Sequence, residues 1–303
     1  MKLITYQHDG YLQLGVVHQD RVGSLVGRFT SARAFLEAGD SAIAQTNALI
    51  EKAVASGAVA SWPALSDVDI KAPILDPRKI FALAGNYREH IREGGGEVVP
   101  KEQQVPQVFV KPVTTIVGLN DEIRMPGPIC TSVDYEGELG IVIGKRCHYV
   151  DAEEALDYVA GYLNFNDVSG RKLNISEQRK PMPRTPFFDW LNGKWFDTFG
   201  PTGPFLVLKD EIEDPQALDL ETRVNGQTRQ KASTGDMIFS VAETVAWVSQ
   251  FATLEPGDLI ATGTPSGVGA VEKSFLQPGD VVEVEISGLG RLTNTVAPAL
   301  KSQ

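Results

Sequence analysis

Cysteine is nearly missing from this chain. Its 303 residues hold two, Cys130 and Cys147, too few for a disulfide framework and without the paired spacing of a zinc site. A reducing compartment is the simplest setting. Long apolar runs are missing as well: no stretch approaches the ~18 residues that would cross a membrane. The opening MKLITYQHDGYLQLGVV alternates like a strand and lacks the apolar centre of a signal peptide, so a cytoplasmic protein is expected. Basic side chains are outnumbered, 28 Lys and Arg against 39 Asp and Glu, for a net charge of -11. With no basic patch or polybasic run, nucleic acid and anionic membrane are excluded as main partners. An anionic substrate would then need local help from a metal or a few cations. Histidine is scarce too, with four in the chain.

What is present is a globular composition, 42% hydrophobic and punctuated by 29 Gly and 18 Pro. The first segment reads as hairpins (LITYQ, LQLGVV, RVGSLV) followed by a helical stretch, SARAFLEAGDSAIAQTNALIEKAVAS. After the connector SDVDIKAPILDPRK, short β-branched runs dominate: KIFALAG, VPQVFVKP, YEGELGIVIG, VAGYLNFNDV, GPFLVL, ETRVNGQTRQ, GDLIATG and DVVEVEI. Helical patterning returns in EEALDYV and SVAETVAWVSQFATL. The predicted fold class is α+β and mostly β, with a small N-terminal α+β domain over 1–73 and a larger β-rich unit over 74–303.

One stretch does not fit a plain strand. In SVDYEGELGIVIG, residues 132 to 144, alternation puts Asp134, Glu136 and Glu138 on one face. Two readings are open: an exposed face with water in front of it, or a pair of glutamates that needs an opposite charge, for which a divalent cation is the obvious candidate. VVEVEIS repeats the alternation at Glu283 and Glu285 and reads as a solvated face. Asp167, ending an apolar strand with Arg171 just beyond, could bring a third carboxylate to the first two. In GNYREHIREGGGE, His90 and Glu93 stand three apart, on one helix face, where a carboxylate can orient an imidazole as a general base. The glycines at 94 to 96 would place that pair at the root of a mobile loop. ATGTPSGVGAV has neither the Lys-Ser/Thr of a P-loop nor a dinucleotide fingerprint and reads as a tight loop presenting Thr264.

In order, NYREH..E, VFVKP, DYEGELGIVIGK, NDVSGR, GKWFDTFGPTGP, VNGQTRQ and ATGTPSGVG closely resemble the fumarylacetoacetate hydrolase superfamily over roughly residues 78 to 290. The resemblance implies a mixed β-roll catalytic domain, a homodimer, and one Mg²⁺ or Mn²⁺ per chain on Glu136, Glu138 and Asp167. It implies that His90 and Glu93 activate water or move a proton, and that Lys194 and Lys111 hold a substrate carboxylate or a developing oxyanion. Thr264, Arg171 and Asn174 are the further substrate contacts it suggests. This chain departs from the pattern in reading DVSGRK, with Lys172 for a second acid and Asn174 for a glutamine, and in carrying Gly85 where acylpyruvase-like members have an arginine. NISEQRKPMPRTPFFDWLN is longer and more aromatic than in compact members and is expected to form a lid or pocket wall.

The function expected from the resemblance is hydrolysis of a C–C bond in a 1,3-diketo acid or acylpyruvate, a small oxo acid, through a metal-stabilised enolate. An isomerase of 2-hydroxy-diene dioates, a decarboxylase of β-keto acids and a dehydratase of sugar acids would use the same enolate. A scaffold that kept only the fold would have no need of the metal ligands, the dyad or the two lysines.

Overall fold

The computed structural model describes residues 1–300. β1 (Lys2–His8), β2 (Tyr11–His18) and β3 (Arg21–Ser24) form a meander. Its turns, Asp9-Gly10 and Gln19-Asp20, sit at positive φ, the backbone geometry of tight two-residue hairpins. α1 (Ala32–Ala38) starts where the Ser31 hydroxyl accepts the Ala34 N–H, and α2 (Asp40–Ser56) stops at Gly57 in the left-handed region, φ 72. The short β4 (Asp69–Lys71) pairs back onto β1.

Next come β5 (Ile80–Ala84), α3 (Arg88–Glu93), β6 (Gln107–Val110), β7 (Ile116–Val117), β8 (Glu122–Arg124), β9 (Val133–Asp134) and β10 (Gly137–Ile143). They are followed by β11 (Val159–Asn166), β12 (Ser169–Gly170), α4 (Thr185–Gly193), β13 (Gly200–Leu208), β14 (Asp219–Val224) and β15 (Gln227–Ser233). α5 (Val241–Ser249), β16 (Leu259–Ala261), α6 (Gly269–Glu272), β17 (Val281–Ile286) and β18 (Gly290–Ala297) are the last elements of the described residues. An 11-stranded sheet runs β3-β2-β1-β13-β11-β10-β16-β5-β6, with β4 on β1 and β7 on β13, and a 5-stranded sheet runs β15-β14-β17-β18-β8. The result is a strand-rich mixed α/β fold. No helix among the described residues is long and apolar enough to cross a membrane.

The N-terminal strands do not make a sheet of their own. Leu3 of β1 pairs antiparallel with Leu206 of β13, and Leu3, Val16 and Phe35 share a buried cluster with Val142, Leu163 and Leu259. Two other local expectations change. EEALDYV makes only a 3₁₀ turn, Ala155–Tyr158. SVDYEGELGIVIG breaks between β9 and β10, because the Tyr135 N–H goes to Asp134 Oδ1 and the Glu136 N–H to Asn166 Oδ1, both side chains, where a continuous ladder would use carbonyls. Glu283 and Glu285, expected on a solvated face, are half-buried and paired with Arg291 and Arg223 on the neighbouring strands.

Strand directions decide where the chemistry collects. β10 lies between β11 and β16 and runs antiparallel to both, and β5 runs parallel to β16. The start of β10 and the ends of β11, β16 and β5 therefore meet at one edge of the sheet. The segments leaving these three ends carry Asp167, the loop 262–268, and the turn into α3 with His90.

Candidate metal centre and active site

The face carrying Glu136 and Glu138 is closed to water. Glu136, Glu138 and Asp167 are 5%, 1% and 0% exposed, which removes the reading of a solvated strand face. One oxygen from each lies within 4.8 Å of the others. Three carboxylates this close must be compensated, since unpaired burial of even one is very costly. Lys194 Nζ donates to Glu136 Oε2 at 2.6 Å and to Asp167 Oδ2 at 2.7 Å. Lys111 Nζ donates to Asp167 Oδ1 at 2.6 Å, and Arg171 Nη2 pairs with Glu136 Oε1 at 2.6 Å.

The titration of the two glutamates diverges accordingly. Burial pushes Glu136 up, but Lys194, Arg171 and His90 outweigh it and bring its carboxyl down to about 2. Glu138 has no such cation in contact: burial, then the charges of Asp167 and Glu136, hold it well above the usual carboxylate range. Its Oε2 accepts the Gly263 N–H at 2.7 Å, while its Oε1 is buried without any partner. A buried carboxylate oxygen without a partner, on a residue clustered with two further carboxylates, is the donor set of a hard divalent cation, so the residues present fit Mg²⁺ or Mn²⁺.

The two lysines differ in kind. Lys111 touches one carboxylate and the carbonyls of Lys194 and Val168, so burial prevails and lowers its pKa. Lys194 touches two carboxylates; burial works against its charge, but Asp167 and Glu136 pull its pKa up. With its ammonium on Asp167 and on the carbonyls of Lys194 and Val168, Lys111 ties Asp167 in place in this structure.

His90 and Glu93 meet on α3, His90 Nδ1 lying 2.7 Å from Glu93 Oε1. Both keep some exposure, 21% and 16% for their side chains, which makes this the open side of the site. Glu93 is fixed at its far oxygen, where Oε2 accepts the Gly267 N–H at 2.8 Å.

The loop from Gly263 to Ala270 does more than present a threonine. Its backbone N–H groups hold three carboxylates: Gly263 holds Glu138, Gly267 holds Glu93, and Gly269 with Ala270 holds Asp134. Asp134, 0% exposed, also accepts Arg171 Nε at 2.8 Å, so the loop reaches Glu136 through Asp134 and Arg171. Thr264, expected against substrate, donates its hydroxyl to the Gly137 carbonyl and accepts from Gln230 Nε2. Arg171, likewise expected on substrate, is engaged by Asp134 and Glu136. Asn174 lies outside the cluster, exposed, with its amide on the Pro128 carbonyl.

Sequence reasoning gave no role to Asp134, Gln230 or Asn86. Gln230 Oε1 accepts the Gly137 N–H ahead of Glu138, and Asn86 bridges the Phe239 and Thr262 backbones. Their signal was a polar side chain inside the motifs themselves, but only burial distinguishes a clamp from a surface amide. Asp134→Ala should leave Arg171 with one carboxylate and four backbone or guanidinium donors without their acceptor. Breaking a buried pair from one side costs about 3–5 kcal/mol. Urea unfolding of the metal-free protein measures it, and a loss below about 1 kcal/mol would show that Asp134 carries no such load.

This arrangement is a buried two-glutamate and aspartate cluster that could hold a divalent cation, at one edge of a strand-rich sheet with a His-Glu pair beside it. The chain belongs to the family whose model, "Fumarylacetoacetate (FAA) hydrolase C-terminal", matches residues 79–297. It is 42% identical over 266 residues to oxaloacetate tautomerase FAHD2A, mitochondrial, of Bos taurus, covering 86% of this chain and 78% of the relative. It is 41% identical over 235 residues to oxaloacetate tautomerase YisK of Bacillus subtilis (strain 168), covering 77% and 74%. Maleylpyruvate hydrolase from Sphingobium sp. SYK-6, solved in complex with manganese (II) ion and pyruvate, superposes with a TM-score of 0.75 at 27% identity, covering 99% of this chain and 100% of that one. Enzymes of this family include tautomerases and hydrolases, and C–C hydrolysis is not singled out among them.

Proposed function

We propose that this chain is an oxo-acid tautomerase, moving a proton between carbon and oxygen in oxaloacetate or a close 2-oxo dicarboxylate. The observation that carries the reading is the His90–Glu93 pair at the open side of the carboxylate cluster, in a chain about two-fifths identical to two oxaloacetate tautomerases. A Mg²⁺ or Mn²⁺ held by Glu136, Glu138 and Asp167 would supply Lewis-acid polarisation of the 2-oxo acid end.

The chain's own residues supply the proton path. With a proton on Nδ1 donated to Glu93, His90 presents the lone pair of Nε2 as base. Nε2 takes the proton from C3 of the keto form, and the imidazolium is stabilised by the Glu93 carboxylate, itself fixed by the Gly267 N–H. The same Nε2–H then returns the proton to the enolate oxygen, giving the enol. The reverse sequence gives the ketone, and no atom is gained or lost. Neither water nor an oxyanion donor is required for this proton transfer.

His90→Ala should lower enol-to-keto turnover of oxaloacetate, followed by enol absorbance, by about 10²–10⁴-fold while Mn²⁺ affinity stays within a few-fold. Unchanged turnover would remove His90 from the reaction.

A second reading, hydrolytic C–C cleavage, is favoured by the likeness to the maleylpyruvate hydrolase. It requires His90 to activate water and predicts release of pyruvate or another short acid from an acylpyruvate. Product analysis by NMR separates the two, since tautomerisation leaves the carbon count of the substrate unchanged.

A further inference from the structure

Five of the six carboxylate oxygens in the Glu136, Glu138 and Asp167 cluster have partners, and those partners are of two sorts. Arg171 on Glu136 Oε1 and Lys111 on Asp167 Oδ1 are themselves tied elsewhere, Arg171 to Asp134 and Lys111 to the carbonyl of Lys194 at 2.7 Å. Gly263 N–H on Glu138 Oε2 belongs to the backbone. The remaining two oxygens, Glu136 Oε2 and Asp167 Oδ2, share a single ammonium, Lys194 Nζ. Together with the unpartnered Glu138 Oε1, they are the one set, an oxygen from each residue, that can be released without disturbing the ties.

The Lys194 ammonium has a second kind of support. It lies 5.3 Å from the centre of the Phe109 ring and 5.8 Å from that of Trp190, and the two rings pack edge to face at 4.9 Å. Distances under ~6 Å to a ring centre are attractive for a cation, more so when it is shielded from water. The Lys194 side chain is 3% exposed. Its backbone is pinned by Lys111, and its neighbour Trp195 donates Nε1–H to the Val110 carbonyl, which leaves the side chain as the part free to change.

We propose that Lys194 is a built-in competitor of the divalent cation, seated on Glu136 and Asp167 by Phe109 and Trp190, so that metal uptake is an exchange of ammonium for metal. Phe109 and Trp190 are then positioning residues that set metal affinity without touching the metal. The exchange rests on the metal reading of the cluster given above. It also assigns a use to the aromatic stretch expected to wall the pocket: Trp190 on α4 holds Lys194 in place.

The test is calorimetric titration of the full chain with Mn²⁺, with tryptophan emission followed in parallel. Trp190→Leu and Phe109→Leu change no charge and should each bind Mn²⁺ about 2- to 10-fold tighter than the unsubstituted chain. Lys194→Met should bind tighter by about 10-fold or more. Mn²⁺ should also shift the emission of the unsubstituted chain, and Trp190→Phe should remove most of that shift, a readout that needs no destabilising substitution. Binding by the unsubstituted chain with no gain in any of the three variants and no Trp190-dependent shift overturns the exchange and leaves the metal reading intact. No binding by any of the proteins overturns the metal reading and the exchange with it.

Discussion

Glu138→Gln should strongly weaken cation binding and yet stabilise the metal-free protein. Glu138 is 1% exposed, its Oε1 has no partner, and its carboxyl is held well above the usual range by burial and by Asp167 and Glu136. The amide keeps an oxygen for the Gly263 N–H and removes the ionisable group. Folding a group whose pKa is raised means that stability is lost as pH rises through the folded-state value, and glutamine escapes that loss. Relief of an unsatisfied buried group is worth about 1–3 kcal/mol. In EDTA, Glu138→Gln should therefore melt later than the unsubstituted chain.

With excess Mn²⁺ the order should invert. A ligand bound only by the folded state stabilises it in proportion to the logarithm of its concentration over Kd, and Glu138→Gln, with one anionic ligand fewer, should bind about 10²-fold more weakly or worse. Calorimetric melts with and without Mn²⁺ make the check. If Glu138→Gln melts earlier in EDTA, the carboxylate is already compensated in the metal-free fold and the cluster is not poised for a cation.

Gly267→Ala is the other change expected to have a large effect, through the backbone. Gly267 sits at φ +103, and a Cβ there would fall 2.0 Å from the Arg229 carbonyl oxygen. The loop must move, and its N–H is the group that fixes Glu93 Oε2. Strain and clash together should cost about 3 kcal/mol or more, and a released Glu93 should lower turnover about 10- to 100-fold by loosening His90. Gly10 is the control: it has φ +81 but nothing within 4 Å of its Cβ position, so Gly10→Ala should cost only about 1 kcal/mol and leave turnover unchanged. Equal losses at the two positions would mean that backbone strain, and not the hold on Glu93, sets the effect of Gly267→Ala.

Much of the site could be read along the chain wherever the rule is short-range. Three-residue spacing placed His90 and Glu93 on one helix face, and they meet at 2.7 Å. Period-two alternation put Glu136 and Glu138 on one side of the chain, and Asn225-Gly226 marked the hairpin between β14 and β15, both residues at positive φ. The family resemblance added Asp167, which local pattern could only suggest.

What the chain's local patterns settle is the set of chemical groups and their spacing, because helix and strand periods act over a few residues. The tertiary fold decided the rest, because burial and charge pairing depend on segments far apart. Only the fold shows that the glutamate face is dry, and that Lys111 and Arg171 are occupied by carboxylates 56 and 35 positions away. It also shows that a glycine-rich loop holds three acids by its backbone, and that the Lys194 ammonium sits on two of the clustered carboxylates. A carboxylate's neighbours set whether it is a solvated ornament, a strut or a ligand, and in this protein those neighbours arrive from the residues just after β6, β12 and α4 and from the loop after β16.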